Sequence, residues 1–418
     1  MACQLQKQLK IENFVIYDRA TELGGAWAAN KYPGCGVDIP GVLYSLSWFP
    51  NPEFTSLFPK QEEILAYIQR VALAYQVPQH TQLRTEWTGA KWIESSGTWH
   101  VDLRDLKTGE CFLHEAKILI SAVGGYTNPK FPAMPGIESF EGPVVHTAKW
   151  DEAYDLRGLK VAVVGNGCSG SQVVPAIMED VHSLTQFIRA EKYWPLLTPK
   201  YDLGCRRRIL DNHYIQSLDS PKMKLVEGPI SLVTPKSIKT SSGEEHNIDF
   251  IILATGFEFT QWQANTVIGR HKKTLQQHWD GMGGAGAYKT VAVHGFPNMF
   301  YLLGPNSGSG HTSVLFSIEC SIDLVIEIAR PVLEDQAVAV EVCKEAEVEW
   351  CDTIQSALRK TVLTQSCFNQ YTDPKTGWNF FSYPFSSLRF WAGSRFPEKK
   401  HWSYRLDSFR SRLRSGAA

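Results

Sequence analysis

The run Gly165-Asn166-Gly167-Cys168-Ser169-Gly170 has the residue types and spacing to cradle a pyrophosphate. It follows the apolar Val161 to Val164 and precedes a helical pattern from Ser171 to Met178. In that context the first glycine permits a tight turn, the second lets a diphosphate approach the backbone, and the third lets helix and strand pack. The next apolar run, Leu184 to Ile188, ends on Arg189. A guanidinium there suits a 2′-phosphate where a carboxylate would take a ribose diol, so NADPH is favoured over NADH. An earlier strand pattern, Phe14 to Tyr17, ends on Asp18, whose carboxylate is placed to accept the ribose hydroxyls of another dinucleotide. The glycines that belong with Asp18 should lie ~20 residues before it. Counting back runs off the start, so this unit is expected to lack its first strand and glycine loop. Gln4 to Lys10 reads as the tail of the helix that should follow them.

These groups need two twisted parallel sheets to position them. Gln61 to Tyr75 places Ile64, Ile68, Val71 and Tyr75 on one helical face, and Trp99, Val101 and Leu103 alternate as in a half-buried strand. Ile118 to Val123 is a buried-strand pattern ending in Gly124-Gly125. Val161 to Val164 opens a nucleotide unit and Asp249 to Gly256 closes it. The chain then returns to the first unit through Met299 to Leu303, the loop Gly304 to Gly308 and a helix from about Ser313 to Ala329.

With 418 residues, 43% hydrophobic content and a net charge of −1, the chain can bury sizeable cores and has no basic face for nucleic acid. Its longest apolar runs are strand-sized, well short of the ~20 residues that span a bilayer. The start has no apolar signal core, so a cytoplasmic place is expected. Nine cysteines without CxxC pairs or histidines at ligand spacing argue against a metal site and a disulfide framework.

Four features together resemble the Baeyer–Villiger monooxygenases, in particular the branch that includes 4-hydroxyacetophenone monooxygenase. They are Gly24-Gly25-Ala26-Trp27, Tyr32-Pro33-Gly34-Cys35-Gly36-Val37-Asp38, the FxGxxxHxxxW run of Phe140, Gly142, His146 and Trp150, and Ala254-Thr255-Gly256. The resemblance covers nearly the whole chain. It implies an α/β fold of two Rossmann-like dinucleotide-binding domains, with the NADP domain inserted into the FAD domain. Residues 1–150 would be the first part of the FAD domain, 151–261 the NADP domain, and 262–418 the second FAD part with a C-terminal segment. In that family NADPH reduces FAD, O2 adds to give a flavin C4a-peroxide, and the peroxide converts a ketone to an ester or lactone. Secondary metabolism is a common setting for this branch.

Carried over residue by residue, Asp18 would hold the flavin's ribose, and Gly25, Ala26, Trp27, Asp38, Ile39 and Tyr44 would line the flavin. Gly165, Asn166, Gly167, Cys168, Ser169, Gly170 and Arg189 would hold NADPH. Phe140, Gly142, His146 and Trp150 would form a hinge, although His146 and Trp150 equally fit a packed linker. Within Gly204-Cys205-Arg206-Arg207-Arg208, Arg207 matches the family's active-site arginine, with Asp38 to orient it. Its fixed charge would stabilise developing negative charge. His311, in the late glycine loop, reads as a structural cap.

The chain departs from the pattern at Ala26, where the family usually has Thr. It departs again between Trp194-Pro195 and Arg207, where the family carries a long helical insert and this chain is short. Two alternatives stay open: an N- or S-hydroxylating flavin-containing monooxygenase, and a non-catalytic NADP binder that has lost its flavin.

Overall fold

The computed structural model describes residues 1–126, 128–188, 213–258, 265–309, 313–365 and 371–406. One sheet is complete and wholly parallel, in the order Met223–Glu227, Ser183–Ile188, Lys160–Val164, Phe250–Leu253, Val144–His146. Its strands read as near-continuous apolar runs because both faces are covered, as parallel sheets require. Val161, Val163 and Ile252 face a core shared with Val173, Val174 and Ile177 of the helix Cys168–Ile177. The alternate residues Ala162, Ile251 and Leu253 face a second core. Val233 and Ile238 of a three-stranded antiparallel sheet close that side.

The other nucleotide unit is built differently. Among the described residues, Ile16–Tyr17 pairs in parallel only with Thr81–Gln82, and Leu119–Ser121 pairs in parallel only with Met299–Tyr301. Against these two ladders packs the helix Val314–Leu333, whose Leu324, Val325, Ile328 and Ala329 are fully buried beside Phe300. On the opposite side sits a four-stranded sheet, Thr266–Ile268, Thr85–Ile93, Thr98–Asp105 and Cys111–Ala116. Its inward Trp99, Val101 and Leu103 meet Trp279, Met299 and Tyr301. The chain enters this unit, leaves for the complete sheet, and returns through Thr266–Ile268 and Met299–Tyr301, which pair with strands from its first third.

The helix Gln61–Ala74 and the strand Phe250–Leu253 lie where the apolar periodicity placed them. The late helix runs beyond its expected end to Leu333, carrying Pro331 in its final turn. Among the described residues no helix is long and apolar enough to cross a membrane, and no cluster of histidine, cysteine or acidic side chains could hold a metal.

Candidate nucleotide cleft

A single cleft of about 3880 Å³ runs from Asp18 and the Gly24–Asn30 segment, past Val37 to Ile39 and Tyr44, to the Gly165–Ser169 loop. The second half of this path is the more finished. Gly165 adopts φ +111°, and a Cβ there would lie 2.5 Å from the Ala254 carbonyl oxygen, so only glycine fits the turn. A Cβ on Gly170 would meet the Gly165 carbonyl oxygen at 2.5 Å, which lets helix and strand approach closely. At Gly167 a Cβ would meet no protein atom within 4 Å. That position therefore faces open cleft, and its backbone is accessible to a ligand.

Gly167 is also the N-cap of the helix Cys168–Ile177, and no side chain caps it. The helix start thus presents amide donors and the positive end of its dipole to whatever enters, an arrangement suited to a diphosphate. The loop is braced from behind. Buried Gln186 donates from Nε2 to the Gly165 carbonyl at 2.8 Å and accepts from the Tyr214 hydroxyl at 2.7 Å. Arg189, expected one residue beyond the strand Ser183–Ile188, lies outside the described residues, as do Arg207 and His311.

On the other side, Gly24 and Gly25 take φ +140° and +55°, and Gly25 caps the short helix Ala26–Ala29. This turn sets the Trp27 ring edge-on to Tyr44, with Trp27 Nε1 donating to the Tyr44 hydroxyl at 2.9 Å. Both rings border the cleft, as do Asp38 and Ile39. Asp18 closes its own turn by accepting from the Ala20 amide at 2.9 Å and lines the cleft. Asn30, unremarked in the sequence, is buried in the cleft wall; its Nδ2 donates to Ala26 and Tyr126 carbonyls, while its Oδ1 meets no donor among the described residues. A buried acceptor without a donor is costly and marks a place for a ligand N–H or O–H. The end of the cleft nearest Val314 is formed by Ser313, which caps the helix Val314–Leu333 by accepting from the Leu315 amide at 3.2 Å. A flavin therefore finds a ribose acceptor, an aromatic wall, a lone amide acceptor and a helix start. The described residues supply no glycine turn beside Asp18 to take its diphosphate.

The two halves are joined through one loop. The Tyr32 hydroxyl donates to Gln172 Oε1 at 2.8 Å, and Gln172 Nε2 donates to the Gly36 carbonyl at 3.0 Å. A Cβ on Gly34, at φ +79°, would lie 2.4 Å from the Gln172 carbonyl oxygen. Tyr32 and Cys35 are built into the core beneath the complete sheet, and burial pushes the Cys35 thiol up to about 12, so it is inert at neutral pH. The segment carrying Asp38 is consequently fixed to the helix Cys168–Ile177. None of this was visible in residue spacing, because it depends on contacts between Tyr32 and Gln172, far apart in the chain.

The Phe140–Trp150 run has a definite place. Val144–His146 is the edge strand of the complete sheet, with His146 in register with Leu253. It thus lies on that sheet, upstream of the boundary expected at residue 150. His146 Nδ1 accepts from the Ala148 amide at 3.0 Å and caps the turn Thr147–Lys149. Burial holds the imidazole's pKa below its usual value, only partly offset by the Gly256 backbone. Its ring sits between Phe131 and Phe257, with centroids at 5.5 and 5.9 Å. Trp150 packs against Tyr154 and Phe250. Both side chains are packed against aromatic neighbours beside the complete sheet.

An α/β chain with two nucleotide units and a shared cleft defines the class, and the flavin-binding monooxygenase-like family matches residues 15–190. A Baeyer–Villiger monooxygenase of Pseudomonas aeruginosa is similar, being 29% identical over 94% of this chain and 87% of the relative. Another, of Streptomyces coelicolor, is 29% identical over 91% and 85%. The fold is that of the NADP+-bound cyclohexanone monooxygenase from Rhodococcus sp. Phi1, with a TM-score of 0.84, 23% identity and 97% of each chain covered. These matches support a member of the Baeyer–Villiger monooxygenase family.

Proposed function

We propose that this protein is an FAD- and NADPH-dependent monooxygenase that inserts one oxygen atom of O2 beside a ketone carbonyl, giving an ester or lactone. The observation that carries the reading is the continuous cleft between the Asp18–Tyr44 side and the open backbone at Gly167, which can hold two dinucleotides end to end. The relatives named as Baeyer–Villiger monooxygenases support the same chemistry. When bound and reduced by NADPH, the flavin supplies activated oxygen.

The chain's own residues then have distinct tasks. Asp18 accepts the ribose hydroxyls, Gly25, Ala26, Trp27, Ile39 and Tyr44 wall the ring, and the amides from Gly165 to Gly170 take the NADPH diphosphate. Trp27 and Tyr44 hold each other in place and shield the cleft from water. Asp38, anchored through Gly36 and Gln172, faces the same space, where it orients a cationic group; Arg207 is the residue assigned that part. We retain the division into FAD-binding residues 1–150 and 262–418 around an NADP-binding insert at 151–261, with pairing of Val144–His146 favouring an earlier first boundary. We retain a cytoplasmic setting as part of this reading; among the described residues no disulfide is formed.

The test is turnover. Purified protein given FAD should acquire flavin absorbance, and with a cyclic ketone it should consume NADPH and O2 and yield a lactone by mass spectrometry. Tight NADPH binding with no flavin uptake would leave only the binder alternative.

A further inference from the structure

A second pair of rings borders the cleft, carried by a hairpin late in the chain. Tyr371 and Phe381 stack face to face, with centroids 4.5 Å apart and planes inclined by 16°, and both line the cleft. The hairpin is closed where the Phe380 amide donates to the Tyr371 carbonyl at 3.0 Å and Thr372 pairs with Asn379. Beside it runs the loop Gly304 to Gly308, whose Ser307 and Gly308 line the same space.

Hairpin and loop are laced together. The amides of Asn306 and Gly308 donate to the carbonyls of Phe380 and Phe381 at 2.9 and 2.8 Å, and the Tyr383 amide returns to the Gly308 carbonyl at 2.8 Å. Asn306 is buried at a left-handed φ of +59°, and its Nδ2 donates to the carbonyls of Asn379 and Ser382 at 2.7 and 3.1 Å. A Cβ on Gly308 would run into the Phe381 ring, so that ring lies directly on the loop backbone.

The turn that aims Phe381 is held in its own right by side-chain amides. Fully buried Asn379 accepts at Oδ1 from the Phe381 and Ser382 amides at 3.1 and 2.8 Å, a local turn of the kind asparagine favours. Behind it stands Gln355, buried on the helix Lys344–Leu358. It donates from Nε2 to the Asn379 carbonyl at 2.8 Å and accepts from the Asn379 amide at 3.2 Å. One side-chain amide thus satisfies both polar groups of a buried residue's backbone, although Gln355 itself stays outside the cleft. Removing it would leave a buried amide without an acceptor, a cost the hairpin can relieve only by shifting.

We propose that Gln355 is a positioning residue: through Asn379 it fixes the Tyr371–Phe381 ring pair as the wall against which the apolar part of the substrate lies. The substrate part of this inference rests on the ketone reading above. Catalysis by positioning is sensitive to displacements of about 1 Å, so a wall set from behind matters as much as one that touches the ligand.

The test uses the full chain labelled with 3-fluorotyrosine, the Tyr371 resonance being assigned by its loss in Tyr371→Phe. Stacking on Phe381 shifts that resonance, and Phe381→Leu gives its unstacked position. Gln355→Met keeps the side-chain length, removes both hydrogen bonds and should move the resonance at least half way to that position. Ala346→Gly weakens the same helix at a buried site about 14 Å from Gln355 and should leave the resonance in place. NADP+ affinity, read by calorimetry, should be unchanged in every variant. If Gln355→Met loses NADP+ binding, Gln355→Glu, which keeps the acceptor and loses the donor, decides by the same readings. Binding of cyclohexanone, followed by ligand-observed NMR with NADP+ present, should weaken about tenfold in Gln355→Met and in Phe381→Leu. The double variant should bind no more weakly than Phe381→Leu alone, because both changes act through one ring. A moved resonance with weakened cyclohexanone supports the positioning role and the ketone reading together. A moved resonance in a chain that never binds cyclohexanone supports the hold of Gln355 on the ring pair and removes the ketone reading. A resonance unmoved by Gln355→Met, equal movement in Ala346→Gly, or additive losses of cyclohexanone binding would overturn the proposal.

Discussion

The two nucleotide units of this protein use the same kind of strand and, among the described residues, pair it to different extents. In the complete sheet, Phe250–Leu253 lies between neighbours on both edges and all four side chains are buried. In the other unit, Leu119–Ser121 has a neighbour on one edge, and its apolar side chains are only half-buried. Burial in a parallel sheet depends on lateral pairing as well as on the layers above and below. Composition alone does not distinguish an Ile at 251 from an Ile at 120.

The largest expected effect follows from that contrast. Ile251→Ala should cost about 2–5 kcal/mol, since a fully buried methyl cluster is lost from a packed interior. Ile120→Ala should cost about 1 kcal/mol, because much of its surface already meets the cleft. Denaturant unfolding of the two variants reads the difference; equal losses would mean that both sheets are equally packed.

Next come the glycines of the finished half. Gly165→Ala forces a Cβ against the Ala254 carbonyl at a left-handed φ and should destabilise the fold by about 1–3 kcal/mol. Gly167→Ala should leave the melting temperature unchanged and weaken NADPH binding by about tenfold, roughly 1.4 kcal/mol. If Gly167→Ala binds NADPH normally in calorimetry, the diphosphate does not lie over that residue.

The link between the halves should be worth less. Tyr32→Phe removes the donor to Gln172 but keeps the ring in its core, so a loss of about 1 kcal/mol is expected. A larger loss would show that the loop holds the units together more tightly than one hydrogen bond implies.

The smallest effect is on pH dependence. Burial lowers the pKa of His146 and His246 in the fold. The unfolded chain takes up protons near pH 6.5 while the folded chain does so only at lower pH, so between those values the unfolded state binds more protons. Stability should be level above pH 6.5 and decline as the pH falls below it. His146→Asn, which keeps a capping acceptor, should make the decline shallower. A melting temperature that rises on acidification would contradict this.

Much of the scaffold was legible because it follows local rules. The alternation of Trp99, Val101 and Leu103, the face of Gln61–Ala74 and the glycine spacing from 165 to 170 each report their own surroundings. Pairwise contacts over long separations were not legible. Gln172 and Gln186 read as ordinary polar helix and strand residues, yet one joins the units and the other braces the phosphate loop. Val144–His146 is too short to declare its sheet by pattern, so its membership came from register with Leu253. Asn30 gave no signal because an amide's value lies in what fails to meet it.

The most direct test of the contrast is amide hydrogen exchange on the full chain with and without NADP+. The strands Lys160–Val164 and Phe250–Leu253 should be strongly protected in both samples, NADP+ should protect Gly167 to Gly170, and Tyr17 and Ile120 should exchange quickly throughout. Equal protection of the two sheets, or no change at Gly167 to Gly170 on adding NADP+, would contradict an NADP site at the Gly165–Gly170 loop beside a less tightly paired unit.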